Sequence, residues 1–341
     1  MLKKDIKSMC LSDLEREFEK INLKKYRAYQ VFKWLNKGIG SFFEMSDIPL
    51  NLRIKFGENY EIIKCKIEKK IISKDGTVKY MFRLRDDEFI ESVLMTYSYG
   101  SVVCISTQVG CRMRCAFCAN SDSKFVRNLS VSEMISQIDL IGRDIGKKIS
   151  NVTLMGIGEP FENYENVVKF LSIVSFEKGL NIGSRHITVS TCGIADKIRE
   201  FADSGLKSSL CISLHASNNF SRNKIMPVNK CFDLEKLLDS CYYYSKKTRK
   251  RLTFEYLMIK NLNDKISDAK NLFKIIKKLN CHVNLIPLNK NSSNNFEASE
   301  LLQIKCFCNF LLSKNVSVTI RRVLGSDINA ACGQLRNSRI S

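Results

Sequence analysis

The sequence predicts an α/β fold: a partial (β/α)6 barrel with a small N-terminal helical module and a β-rich connector ahead of it. Three observations carry that prediction. Up to about residue 60, apolar residues recur at helical spacing; from about 61 to 98 they alternate as strands do; beyond about 99, short β-branched runs alternate with helical stretches.

In the first segment SDLEREFEKI starts with Ser12 as a candidate cap, and YRAYQVFKWLNKG repeats apolar residues at helical spacing before Gly38. In the second, KIISK and TVKYMFRLR flank Asp75-Gly76, a strong hairpin signal. In the third, VVCIST, NVTLMG, HITVS, SSLCISLH, LTFEYLMI, HVNLIP and VSVTIRR read as strands. SVSEMISQIDLIG, between the first two, reads as a helix opened by a Ser130/Glu133 capping box. Strands joined by helical stretches of this length run parallel through right-handed crossovers, and ligands then gather at their carboxyl ends.

The 341 residues are 44% hydrophobic, which supplies an ordinary core, and they contain no apolar leader and no membrane-length apolar run. A cytoplasmic protein without a membrane partner is expected. Fourteen cysteines in so long a chain read as free thiols, metal ligands or catalytic groups rather than a disulfide framework. Cys192, Cys211 and Cys241 fall in strand or helix patterns and read as small buried hydrophobes. The net charge of +20 points to an anionic partner, nucleic acid before acidic membrane, although lysine-rich usage of an AT-rich genome is the competing explanation. Lys246, Lys247, Arg249, Lys250 and Arg251 follow Tyr242, Tyr243 and Tyr244, setting dense charge beside stacking rings.

The chemistry concentrates in CISTQVGCRMRCAFC, residues 104–118. Cys111, Cys115 and Cys118 form CxxxCxxC after the first barrel strand; three thiolates on a four-iron cluster leave one iron open to an outside ligand. The same spacing would line one face of a helix, but Gly110, Arg112 and Arg114 make a poor core stripe. Zinc would need a fourth ligand, and His186, His215 and His282 offer no paired motif. Cys104 stands apart from the three.

CxxxCxxC followed by GIGEP at 156–160 resembles the radical S-adenosylmethionine (SAM) superfamily. ESV at 91–93, CISTQVGC, FVRNLS, MGIGEP, ITVST, ISLHA, IMPVN, NLIPLN and SDINAACGQL narrow the resemblance to the RlmN-like family, which methylates carbon 2 of an adenine in 23S rRNA and in tRNA beside the anticodon. The resemblance implies one 4Fe-4S cluster on Cys111, Cys115 and Cys118. It implies SAM on Gly158, Glu159, Ser190, Ser213, Leu214, His215 and Asn289, with two molecules consumed per turnover. Cys332 would take a methyl group from the first, and a radical made from the second would abstract a hydrogen from that S-methyl and join it to the adenine. Cys104 would then release the RNA by forming a disulfide with Cys332, and Glu91 matches the proton acceptor, with base duty not divided between Glu91 and Cys104.

The same resemblance implies 23S rRNA, tRNA and an electron donor such as flavodoxin or ferredoxin as partners of a monomer. The division expected is 1–60 as an RNA-binding accessory module, 61–98 as connector, 99–336 as barrel core with a catalytic-cysteine loop, and 337–341 as a short tail. The chain departs from the family pattern at Ala119-Asn120-Ser121-Asp122 and over residues 290–295. The alternative activity is that of the sister enzymes that methylate carbon 8 of the same rRNA adenine; Val109 in Gln108-Val109-Gly110 favours carbon 2.

Overall fold

The computed structural model describes residues 3–289 and 295–336. Ten strands form one sheet, and they lie side by side in chain order. They are β1 (Lys66–Ile72), β2 (Val78–Arg83), β3 (Phe89–Tyr97), β4 (Gly100–Cys104), β5 (Asn151–Leu154), β6 (Ile187–Thr191), β7 (Ser209–Ser213), β8 (Leu252–Met258), β9 (Cys281–Pro287) and β10 (Ser317–Ile320). The first four pair antiparallel as a meander. From β4 to β10 every pairing is parallel.

The seven parallel strands are the seven read from the sequence. Their core-facing residues are apolar, while polar residues such as Thr153, Ser190, Ser213 and Glu255 line a cavity. Val103, Val152, Val189, Ile212, Phe254, Val283 and Leu285 are buried in one core with the helices between strands. Those helices are α4 (Val131–Asp144), α5 (Tyr164–Val174), α6 (Ala195–Asp203), α7 (Asn219–Ile225), α8 (Leu234–Thr248), α9 (Ile266–Ile276) and α10 (Leu301–Ser313). The Ser130/Glu133 capping box forms: Ser130 Oγ accepts from the Glu133 amide at 3.2 Å, and Glu133 Oε2 from the Ser130 amide at 2.8 Å. Asp75-Gly76 makes the β1–β2 turn, with Gly76 at φ +85°, where a side chain would be strained.

The N-terminal helices α1 (Leu11–Glu19), α2 (Lys25–Asn36) and α3 (Leu50–Asn59) are held by aromatic packing, with the Phe18 and Phe56 rings stacked at 5.1 Å. Phe32 meets Phe176 edge-on at 5.4 Å, and the buried Lys7 pairs with Asp139 of α4, so the module rests on the barrel's helices. Two expectations shift. Helix α1 begins at Leu11, so Ser12 lies inside its first turn; Asp13 accepts from the Cys10 amide at 3.3 Å, the role a cap partner fills. Cys192 lies in the turn after β6 rather than in a strand, though it is buried as expected. Among the described residues, no helix is long and apolar enough to cross a membrane.

Candidate active site

One cavity of about 220 Å³ opens at the carboxyl ends of the parallel strands. Cys104, Cys111, Cys115, Cys118 and Cys332 line it. So do Gly158, Glu159, Ser190, Ser213, His215 and Asn289. Two expected residues are elsewhere: the Leu214 side chain is buried in the main core, and Glu91 lies beside the cavity, covered by the C-terminal segment.

The cysteine loop is not helical. Residues 110–123 run through turns, with Gly110 at φ +73°; a Cβ there would meet the Lys124 carbonyl oxygen at 2.1 Å. The loop is pinned by Ala116 N–H donating to the Ile225 carbonyl at 2.9 Å and by Cys118 N–H donating to the Cys115 carbonyl at 3.0 Å. Arg112 stacks over Phe125 at 3.9 Å. Burial raises all three thiols, Cys111 to about 12, so unliganded they stay protonated. Among the described residues no three His, Cys, Asp or Glu side chains are set around a single-ion site. Three thiols on one loop, all facing the cavity, are a donor set that suits a cubane cluster with one iron left open, whereas one tetrahedral ion would lack a fourth ligand.

The next wall is built by Gln108. Its Oε1 accepts from the Glu159 amide at 2.8 Å, while its Nε2 donates to Asn128 at 2.9 Å and Glu162 at 3.2 Å. Gly158, at φ +107°, has no room for a Cβ, which would come within 2.6 Å of Gln108 Cβ. Glu159 is buried; its carboxylate accepts from Phe161 N–H at 3.0 Å and Cys192 N–H at 2.7 Å, yet burial still pushes its pKa up.

His215 takes a left-handed turn, φ 55°, after β7. Its Nδ1 accepts from the Leu257 amide at 3.1 Å, which puts the ring proton on Nε2, and its ring meets Phe117 edge-on at 4.8 Å. Burial first, then the nearby Arg222, lower its pKa to about 3. The neutral ring in the folded state cannot take the proton that the unfolded chain binds below its ordinary value of 6.5. Stability is therefore intact above pH 6.5 and declines as pH falls toward 3. We expect the urea midpoint of the wild type to fall more steeply from pH 7 to pH 4 than that of His215→Gln; equal slopes would refute this.

Cys332 sits in a segment held from both sides. Asn289 Nδ2 donates to the Cys332 carbonyl at 3.2 Å, Ala119 N–H to the Gly333 carbonyl at 2.7 Å, and Asn120 Nδ2 to the Leu335 carbonyl at 2.6 Å. The departure from the family pattern at Ala119-Asn120-Ser121-Asp122 thus falls on a built contact through its first two residues; of the other departure, over residues 290–295, all but Asn295 lies outside the described residues. On the connector side Asp75 accepts from Gly325 N–H at 2.7 Å and Asp327 from the Ser73 hydroxyl at 2.6 Å. Glu91 accepts from the Arg336 amide at 2.9 Å and pairs with Lys79 at 3.2 Å, and Lys79 also reaches the Asn329 carbonyl at 3.4 Å. Burial raises the pKa of Glu91 despite Lys79.

The disulfide implied for turnover is absent, which corrects that expectation for this state: all fourteen cysteines are free thiols. Burial raises the Cys104 thiol to about 11, so it rests protonated. Sequence reasoning missed Gln108, Lys79, Arg222 and Arg321. Arg321 directly follows the last parallel strand, lines the cavity, and sets its Nη1 3.5 Å from Glu255 and 4.0 Å from Met155 Sδ. Its place at a strand end was the signal that could have found it.

Comparison with known proteins agrees with this geometry. Residues 105–273 match the model of the radical SAM superfamily, and residues 4–62 match that of the ribosomal RNA large subunit methyltransferase N-terminal domain. A probable dual-specificity RNA methyltransferase RlmN of Clostridium botulinum (strain Eklund 17B / Type B) is 47% identical over 338 residues, 99% of this chain and 97% of that protein. A protein so described from Alkaliphilus oremlandii is 46% identical over 100% of this chain and 99% of its own. The crystal structure of a radical SAM methyltransferase from Sphaerobacter thermophilus superposes with a TM-score of 0.92 at 35% identity, covering 98% of this chain and 100% of that one. The chain belongs to the RlmN family of radical SAM RNA methyltransferases.

Proposed function

We propose that this protein methylates carbon 2 of an adenine in 23S rRNA and in tRNA, through a covalent intermediate on Cys332. The observation that carries the reading is that one cavity gathers three loop cysteines, Cys104 and Cys332 from opposite ends of the barrel sequence. Cys111, Cys115 and Cys118 would hold the cluster, and Gly158, Glu159, Ser190, Ser213, His215 and Asn289 would bind SAM, with Leu214 contributing backbone only. When bound, the pair supplies methyl groups and one-electron chemistry, which suits an electron-poor carbon that ordinary displacement would leave untouched.

The chain's residues do the rest. Cys332 is exposed on its segment, and its sulfur takes a methyl group from a first SAM by displacement. Joining that carbon to the base takes one hydrogen atom from the S-methyl group, through the one-electron chemistry of a second bound SAM, and then the carbon 2 proton and one electron from the adduct, the electron going back to the cluster. Release follows when the Cys104 sulfur attacks the Cys332 sulfur: an S–S bond forms, the S–C bond breaks, and its electron pair stays on the carbon, which takes up a proton. Two electrons from a reductant reopen the disulfide. Glu91 reaches substrate only after Arg336 N–H and Lys79 release it.

Protein reconstituted under anaerobic, reducing conditions with SAM should place 2-methyladenosine in 23S rRNA fragments and tRNA, read by mass spectrometry of the nucleosides. No product in either RNA would overturn the proposal. Product methylated at carbon 8 instead would assign the sister activity.

A further inference from the structure

The cavity's rim carries an aromatic pair that nothing in the chemistry above uses. Tyr97 ends β3 and Tyr99 lies in the turn into β4; their rings are 5.0 Å apart and within 7° of parallel. Tyr97 lines the cavity, and its hydroxyl is held by Met95 Sδ at 3.7 Å. Tyr99 is 67% exposed. Tight turns favour small polar residues, so a bare ring at a turn tip, already stacked on a fixed neighbour, is an odd choice for stability alone. Arg321 and Arg322 share the same rim, and Arg322 is exposed.

A flat ring with an open face, placed beside cations on a chain of net charge +20, matches single-stranded nucleic acid: bases stack on aromatics and phosphates pair with arginine. We propose that the Tyr97–Tyr99 pair is the platform on which a base flanking the target adenine stacks, with Arg322 taking the adjoining phosphate. This rests on the RNA substrate proposed above and adds the residues that receive it. The stack is preformed, so little order is lost on binding. It also accepts any base, as a site shared by two different RNAs requires.

Binding of a fluorescent stem-loop RNA containing the target adenine, followed by anisotropy, tests the platform. Tyr99→Ala should weaken binding on the order of tenfold, the size of one lost base–aromatic stack, while Tyr99→Phe keeps the ring and should stay within about twofold of wild type. RNA with 5-iodouridine next to the target should cross-link to the peptide containing Tyr99. Tyr99→Ala binding as tightly as wild type, with an unchanged melting temperature, overturns the platform, as does equal loss in Tyr99→Phe, which would assign the effect to the hydroxyl. Wild-type protein that binds neither a stem-loop from 23S rRNA nor a tRNA anticodon stem-loop overturns the substrate reading as well.

Discussion

Cys104→Ala is expected to leave the protein covalently joined to its RNA. With no thiol opposite Cys332, the S–C bond of the adduct has no partner to break it, and the enzyme stops after one cycle. A denaturing gel should show a retarded band that nuclease treatment collapses to free protein. The double variant Cys104→Ala/Cys332→Ala should show none, because the bond is made on Cys332. Free protein alone from the single variant, under conditions where wild type turns over, would remove Cys104 from the role. The structure supplies the physical reason to single out this thiol. Cys104 faces the same cavity as Cys332, and burial holds it to about 11, so it waits as a thiol until a base takes its proton. It is then the stronger nucleophile for being a weak acid.

Arg222→Leu should cost about 1–3 kcal/mol of stability, the penalty for buried acceptors left unpaired, seen as a lower urea midpoint. The guanidinium is fully buried, and among the described residues no carboxylate pairs with it. Instead it donates to the carbonyls of Leu214 at 3.1 Å, Ser213 at 3.3 Å, Cys192 at 2.6 Å and Phe232 at 3.4 Å, and to Asn229 Oδ1 at 2.8 Å. A leucine would leave these acceptors buried without donors. Because Cys192, Ser213 and Leu214 form two of the strand-end turns that build the cavity, SAM affinity should fall with stability. Arg222→Lys should recover part of the loss, since one ammonium cannot span five acceptors. A midpoint within experimental error of wild type for Arg222→Leu would refute the assignment.

The seven parallel strands were legible because short runs rich in Val, Ile, Leu and Thr recur between helical stretches, and the β1–β2 turn because Asp-Gly meets a conformation few residues tolerate. That β3 and β4 continue straight into the parallel sheet was not, since a hairpin signal names only its own two strands. In the site, the motifs named residues most of which the fold brings to one cavity, but not how they are engaged. Gln108 holds Glu159 across 51 positions, and Glu91 is tied to an amide 245 positions away. Such contacts join residues that share no periodicity, so only the folded chain brings them into view. The Leu214 side chain likewise turned inward because alternation along β7 puts neighbours of Ser213 on the core face.

The segment bearing Cys332 gains a further meaning in order of synthesis. Its seat is made from Asp75 and Ser73 in the connector turn, Ala119 and Asn120 in the cysteine loop, and Asn289 after β9. A ribosome delivers every one of those residues before Cys332. The thiol proposed to carry the methyl group thus arrives after everything that seats it, and it can be seated only when connector, cysteine loop and barrel have each taken shape.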